Sequence, residues 1–533
     1  MKYTLLMTLL APALLAGCNL EKKEEPFQAR HIRAGYDAGQ VCQQLRQGWQ
    51  EDGIAIPASQ VSCHYLTVPL DYDKEWVQIK ETKWEKRSTA RADSSLFADN
   101  SPRFSSWSDK PVRPHVKQET RTVKGDTLDI FYLHYRASGD YRGTLFYNPG
   151  GPTSATPDLG ILLDMLRSAN PAILEHYDIV TLDPRGAGYS ALGHELRSCL
   201  LTDKQGVRPD MSPAQLAQLF ASRDKGALPA LQSGADQGKA FSTTLLARCD
   251  EPLRLHAPHL GSRAVVEDME RLRQHLGRER ITPITFSYGT RLAALYAARY
   301  PSHVANLVVD SPMSPAESRY PAIFRGDAEN ANRILAWRFG DQALQRSMAV
   351  TRQVRDNGRY VDNQGNVLDR DRWEAVMSDA ISGSQRDDQL AFWQQDDVGP
   401  LLARLAKEQA DENPYSTLLE MPFFSAIHCT DNSEPYGWQE LDPEDAAFQG
   451  AGEIKLPDDA RALVLGAEYD PNTPFAGARQ MQAAFGSAAR MVQVAQSNQH
   501  GQLNNSRCAQ AALSTLLLGE AASLPAEQRC LAD

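Results

Sequence analysis

Ile281-Thr-Pro-Ile-Thr-Phe-Ser287-Tyr-Gly289-Thr-Arg-Leu-Ala-Ala-Leu-Tyr-Ala-Ala-Arg-Tyr-Pro301 reads as a short β-rich run, a tight turn and an Ala/Leu helix that a proline ends. The turn falls at Phe286-Ser287-Tyr288-Gly289, with the serine at its apex. A strand–turn–helix of this kind has a chemical use. The strained turn lifts a hydroxyl clear of the sheet, and the next backbone N–H faces the charge that develops on an attacked carbonyl. The usual spacing is G-x-S-x-G, and here Thr285 stands where the first glycine belongs. A lone S-x-G is weak, so the surrounding chain has to decide the fold.

Working outward, further strands are expected at Leu128–Tyr135, at Gly143–Tyr147 running into Asn148-Pro-Gly-Gly-Pro152, and at Asp178–Asp183 running into Pro184-Arg-Gly-Ala-Gly-Tyr-Ser190. Arg263–Leu276 carries Val266, Met269, Leu272 and Leu276 on one side and reads as a helix. Ala305–Asp310, Ala462–Gly466 and Arg490–Val494 are the later strands, and Cys63–Tyr72 is an alternating strand ending in a turn. Strands alternating with helices predict a mostly parallel sheet covered on both faces, with ligands bound beyond the carboxyl ends of the strands. Two segments break the rhythm. Residues 191–262 and 314–450 are helix-like, and the second reads as a mainly helical lid inserted between strands. Residues 77–125 are polar and unpatterned and read as an inserted surface loop.

The chain of 533 residues, 42% hydrophobic and 23% charged, is that of a globular protein. A net charge of −11 without a basic stripe argues against nucleic acid as a partner. At the N-terminus, Met1-Lys-Tyr precedes an apolar run from Leu5 to Leu15 and then Ala16-Gly17-Cys18, the pattern of an export signal too short to span as a helix. Leu15-Ala16-Gly17-Cys18 resembles the bacterial lipobox, which implies cleavage before Cys18 and lipid on its thiol; the alternative is a plain signal with an incidental cysteine. Asn19 after the cysteine then implies the outer membrane of a Gram-negative envelope, with residues 18–40 as a tether. Export makes disulfides the default for the other seven cysteines, and no C-x-x-C pair suggests a metal site. Proximity favours Cys42–Cys63 and Cys199–Cys249, with two of Cys429, Cys508 and Cys530 joined, but the connectivity stays open.

A serine hydroxyl needs a general base, and the base needs a carboxylate to fix its tautomer and stabilise its cation. Downstream of Ser287, Leu463-Val-Leu-Gly-Ala-Glu-Tyr-Asp470-Pro-Asn-Thr-Pro474 places an acid just past a strand end. Val492-Gln-Val-Ala-Gln-Ser-Asn-Gln-His500-Gly501 places a histidine after the following strand. Asp310, also at a strand end, is a rival acid without the Asp-Pro-x-Thr-Pro context.

Taken in order, Cys63–Tyr72, Asn148–Pro152, Asp183–Ser190, Ser287–Thr290, Asp470–Pro474 and His500-Gly501 resemble the secreted tripeptidyl-aminopeptidase and proline-iminopeptidase family of α/β-hydrolases, and the block through Cys508 and Cys530 is similar to its C-terminal region. The resemblance implies an α/β-hydrolase core at 41–313 and 451–533 with the lid at 314–450 between them. It implies Ser287 as nucleophile, Asp470 as orienting acid and His500 as base, with an oxyanion hole from the backbone N–H groups of Tyr288 and Gly151. Asp183 and Arg185 would brace the neighbouring loop. The implied activity is removal of residues from the N-termini of short peptides through an acyl-enzyme, with no cofactor and no metal. A substrate ammonium would need carboxylates, for which Asp431 and Glu434 are candidates. Thr285, Thr153-Ser154 and Gln499 depart from the family pattern and are expected to add side chains near the pocket. The alternatives are an envelope esterase or lactonase with the same triad, and a non-catalytic scaffold lipoprotein on a hydrolase fold.

Overall fold

The alternation of strands and helices builds one ten-stranded sheet. The protein is described from a computed structural model, which covers residues 30–85, 115–198, 255–313, 327–382, 387–411 and 454–532. The strands are β1 (His31–Ile32), β2 (Val61–Pro69), β3 (Trp76–Glu85), β4 (His115–Lys124), β5 (Thr127–Tyr135), β6 (Gly143–Asn148), β7 (Tyr177–Leu182), β8 (Thr282–Phe286), β9 (Leu307–Asp310), β10 (Arg359–Val361), β11 (Val367–Asp369), β12 (Ala462–Ala467), β13 (Ala489–Ala495) and β14 (Glu527–Leu531). The main sheet runs β1-β5-β7-β6-β8-β9-β12-β13-β14, with β2 also paired to β5. From β7 to β14 every pairing is parallel; β5 is antiparallel to both β2 and β7.

Because side chains alternate across a strand, consecutive residues feed two cores. Phe146, Val180, Val309, Val464 and Met491 face one way, against α3 (Ser262–His275), α4 (Gly289–Arg299) and α9 (Phe475–Phe485). Leu145, Ile179, Val308, Leu463 and Val492 face the other, against α1 (Ala38–Glu51), α2 (Leu159–Ala169) and α10 (Arg507–Leu518). Local chemistry starts these helices where they start: Asp37 accepts from the Gln40 N–H ahead of α1, and Ser506 accepts from the Ala509 N–H ahead of α10.

Between β9 and β12 lie α5 (Asp327–Phe339), α6 (Asp341–Asn357), α7 (Arg370–Ser382) and α8 (Gly399–Asp411), which bury a core of their own around Trp373, Phe392, Trp393 and Val350. This is the mainly helical segment read as a lid, although it also holds the small antiparallel hairpin β10–β11.

Three details depart from the sequence reading. The stretch 77–125 is not a featureless loop at its two ends, where β3 and β4 pair antiparallel in a separate ribbon, Trp76 opposite Lys124. The stretch read as tether already joins the body at β1, which pairs with β5, and at α1, which begins at Ala38. The edge strand β14 was not expected. It is fastened by the Cys508–Cys530 disulfide, and Cys42–Cys63 fastens α1 to β2. Cys199, Cys249 and Cys429 lie outside the described residues.

Arg185 and Asp268 form an ion pair with no exposure on either side chain. The guanidinium Nε and Nη2 donate to the two carboxylate oxygens at 2.8 and 2.6 Å. The remaining donors reach the carbonyls of Leu70, Pro69 and His259, and Tyr72 donates to the same carboxylate at 2.7 Å. The end of β2, the loop after β7 and α3 are thereby joined at one charge. Removing one partner leaves the other buried and unpaired, so Asp268→Ala is expected to destabilise the fold by about 3–5 kcal/mol. Breaking the exposed Arg280–Asp459 pair, with side chains 34% and 65% exposed, should cost no more than about 1 kcal/mol. Denaturant midpoints of Asp268→Ala and Arg280→Ala measure the contrast, and equal shifts would refute it.

Candidate active site

In the run Ile281–Thr290, Ser287 is the one residue that is not buried. It sits at the end of β8 with φ +50°, in the left-handed region that non-glycine residues rarely occupy. Its N–H donates to the Asp310 carbonyl at 3.1 Å, and its carbonyl accepts from the Thr290 N–H at 3.0 Å and the Thr290 hydroxyl at 2.6 Å. The loop after β6 lies directly against this turn. A Cβ on Gly150 would sit 2.6 Å from the Phe286 carbonyl oxygen and 3.3 Å from the Tyr288 nitrogen. A Cβ on Gly289 would sit 2.5 Å from Asn148 Oδ1. Only glycine fits at either place, which is the physical content of the S-x-G and Gly-Gly signals.

Asn148 Oδ1 accepts the Gly150 N–H at 2.9 Å, so that donor is already engaged. The N–H of Gly151, by contrast, has no hydrogen-bond partner among the described residues. Behind the loop, Asp183 is fully buried and accepts from the Ser154 hydroxyl and from the N–H groups of Ala155, Thr156 and Tyr189. Burial raises its carboxyl above the usual range, and these donors only partly oppose that.

The acid and the histidine lie in the loops after β12 and β13. Asp470 is buried after β12, and its Oδ1 accepts the N–H groups of Asn472 and Thr473 at 2.8 and 2.9 Å, so the turn itself orients the carboxylate. His500 follows β13 with its Nδ1 at 3.0 Å from both Asp470 oxygens. Burial opposes charge on this imidazole, but the Asp470 carboxylate and its hydrogen bond, helped by Asp310, outweigh it and raise the pKa above 6.5. No hydrogen bond joins Ser287 Oγ to His500 among the described residues; in unliganded sites such bonds are commonly long. Asp310 does not compete for the histidine nitrogen, because its carboxylate is taken by the Gln502 and Leu503 N–H groups.

The departures from the family pattern have specific accommodations. Thr285 is fully buried and donates its hydroxyl to the Val308 carbonyl at 3.1 Å, inside the sheet and not into a pocket. The Ser154 hydroxyl serves Asp183. The Gln499 side-chain amide donates to Asn498 Oδ1 at 3.4 Å. Asp431, Glu434 and Cys18 lie outside the described residues.

Sequence reasoning missed the contacts between the lid and these loops. Asn330 of α5 is buried and donates to the Asp470 carbonyl at 2.7 Å. On the same helix Trp337 stacks on Tyr469, with ring centroids 4.4 Å apart. Asn498, two residues before His500, donates to the Ile381 carbonyl of α7 at 3.0 Å. Nothing in the spacing of these residues announces such partners.

The sequence is similar to that of the serine protease Hip1 of Mycobacterium tuberculosis, 26% identical over 192 residues, which cover 36% of this chain and 33% of that protein. It is also similar to the tripeptidyl aminopeptidase of Streptomyces coelicolor, 29% identical over 182 residues, which cover 33% of this chain and 30% of that protein. The matched stretches thus span about a third of the length of these relatives. Among solved structures, the proline iminopeptidase of Mycobacterium smegmatis aligns over 74% of this chain and 97% of its own at 14% identity and a TM-score of 0.36. The profile of the α/β hydrolase fold matches residues 143–506, a span that holds Ser287, Asp470 and His500 and exceeds half of the chain, and the chain belongs to that family.

Proposed function

We propose that the protein is a serine exopeptidase that removes tripeptides or single residues from the N-termini of short peptides. The observation that carries the reading is the Asp470–His500 pair at 3.0 Å in the loops after β12 and β13, together with a half-buried serine held at φ +50° directly after β8. The names of the serine protease and the tripeptidyl aminopeptidase support peptide substrates, while a carboxylesterase among the partial relatives, 31% identical over 204 residues, supports the ester alternative.

In this reading Ser287 Oγ attacks the scissile carbonyl while His500 takes its proton. Asp470 keeps the Nδ1 proton in place and stabilises the imidazolium. The carbonyl oxygen, now negative, is received by the backbone N–H groups of Tyr288 and Gly151. The tetrahedral intermediate collapses, the C–N bond breaks, and His500 returns the proton to the leaving amine. Water then cleaves the acyl-enzyme by the same relay. Asp431 and Glu434 stay our candidates for holding the substrate ammonium. We place the protein in the bacterial envelope, anchored by lipid on Cys18. The N-terminal pattern supports this, and two disulfides suit an oxidising compartment.

The reading is tested with chromogenic tripeptidyl and single-residue amides, free and N-acetylated, beside a simple ester. Turnover of the free-amine amides alone, lost by a factor of about 10³ or more in Ser287→Ala, is expected. Ester turnover without amide turnover would make the protein an esterase, and turnover that survives in Ser287→Ala would remove serine chemistry. The raised His500 pKa fixes a sign. A general base works only when neutral, so kcat/KM should fall as pH drops through a value above 6.5. In Asp470→Asn the carboxylate is gone while burial stays, so the acid limb should move to lower pH as kcat falls by about 10³–10⁴. A limb that stays in place would refute the pairing. Intact mass and membrane partition of the full chain, beside Cys18→Ser, test the anchor: a diacylglyceryl mass on the membrane-bound chain, lost with the substitution, is expected.

A further inference from the structure

The end of β9 carries two residues that the triad leaves out, Asp310 and Ser311, and all three catalytic loops converge on them. The Asp310 carbonyl accepts the Ser287 N–H at 3.1 Å. The Ser311 carbonyl accepts the Thr473 hydroxyl of the acid loop at 2.8 Å. The Ser311 hydroxyl accepts the Gly501 N–H at 2.9 Å, and the two Asp310 carboxylate oxygens accept the Gln502 and Leu503 N–H groups at 2.7 and 2.8 Å. Asp310 is fully buried, Ser311 is 1% exposed, and Ser311 holds φ +50°, a second left-handed residue beside the first. Three consecutive backbone donors directly after His500 are thus bound by one dipeptide whose own backbone holds the nucleophile.

We propose that Asp310 is a positioning residue for the general base: its carboxylate fastens the loop that carries His500 to the strand end that fastens Ser287. The proposal rests on the triad reading given above and adds to it a second, non-contacting carboxylate. A carboxylate is required rather than an amide, because both oxygens must accept. An asparagine would turn an NH2 group toward one of the two N–H donors. Burial pushes the Asp310 carboxyl up to about 6 against the pull of those donors, so at pH 8 the group is ionised. The charged groups that act on His500 are Asp470 in contact and Asp310 at longer range, and both favour the imidazolium. Asp310 therefore contributes both placement and charge, whereas Ser311 carries no charge and contributes placement, with its hydroxyl also donating to Asp310 Oδ1 at 3.4 Å.

The two contributions separate by mutation. A fluorophosphonate probe reads the nucleophile without a known substrate, so the first-order inactivation rate at saturating probe is measured against pH for wild type, Ser287→Ala, Asp310→Asn and Ser311→Ala. Thermal midpoints are recorded beside them. Asp310→Asn is expected to react about 10- to 100-fold more slowly at pH 8, the loss of one charge-assisted hydrogen bond, with its acid limb displaced to lower pH. Ser311→Ala should also react more slowly, with its acid limb where the wild type has it. A folded Asp310→Asn with the wild-type rate and limb would overturn the inference while leaving the triad reading intact. If Asp310→Asn does not fold, Asp310→Glu carries the test: the longer arm displaces the two acceptors while the charge stays, so a slower rate is expected, and a folded Asp310→Glu with the wild-type rate overturns the inference. Labelling that persists in Ser287→Ala removes the triad reading, and this inference with it.

Discussion

The site depends on one backbone conformation, the left-handed Ser287. A non-glycine residue held there costs of the order of 1–3 kcal/mol and persists only where its surroundings over-determine it. Here the neighbouring strands β6 and β9 do so from opposite sides. The loop after β6 lies against the turn closely enough that glycine is required on both surfaces, Gly150 on one and Gly289 on the other. From the β9 side, the Asp310 carbonyl takes the Ser287 N–H. The Thr290 hydroxyl both closes the turn onto the Ser287 carbonyl and accepts the Met313 N–H. Ser287 keeps partial exposure while its neighbours in the turn are buried, and this packing is possible because the sheet order places β6 and β9 beside β8.

The parallel sheet was legible because its strands are buried on both faces and stand out as apolar runs, from Leu145-Phe146 to Leu463-Val464-Leu465. Legibility failed where burial fails. In β14 only Cys530 is buried, and Glu527, Gln528 and Arg529 give the edge strand a polar face that reads as loop. The ribbon β3–β4 pairs residues separated by a long insertion, and no local pattern reports a partner that far away. At the site, order and position of Ser287, Asp470 and His500 were readable because each lies in the loop that follows a strand. Thr285 was misjudged for a related reason. A motif written in one strand cannot show that the neighbouring strand offers the Val308 carbonyl to a threonine hydroxyl. Ser311 and Asn330 carry no signature at all, since their importance lies wholly in distant contacts.

The helical segment between β9 and β12 has a core of its own, so it is held to the sheet by what crosses between them. Two of those crossings fall on the loops that bear the acid and the base. Asn330 of α5 grips the Asp470 carbonyl, reinforced by the Trp337–Tyr469 stack and by the Arg333 guanidinium 5.5 Å from the Tyr469 ring. Asn498 grips the end of α7 at the Ile381 carbonyl. The serine has no such tie among the described residues; it is fixed from within the sheet. The two sides of the relay therefore have different mechanical supports. Among the described residues, the strand-end dipeptide Asp310–Ser311 is the element that joins the two systems, because it holds the nucleophile by its backbone and the acid and base loops by its carbonyl, hydroxyl and carboxylate.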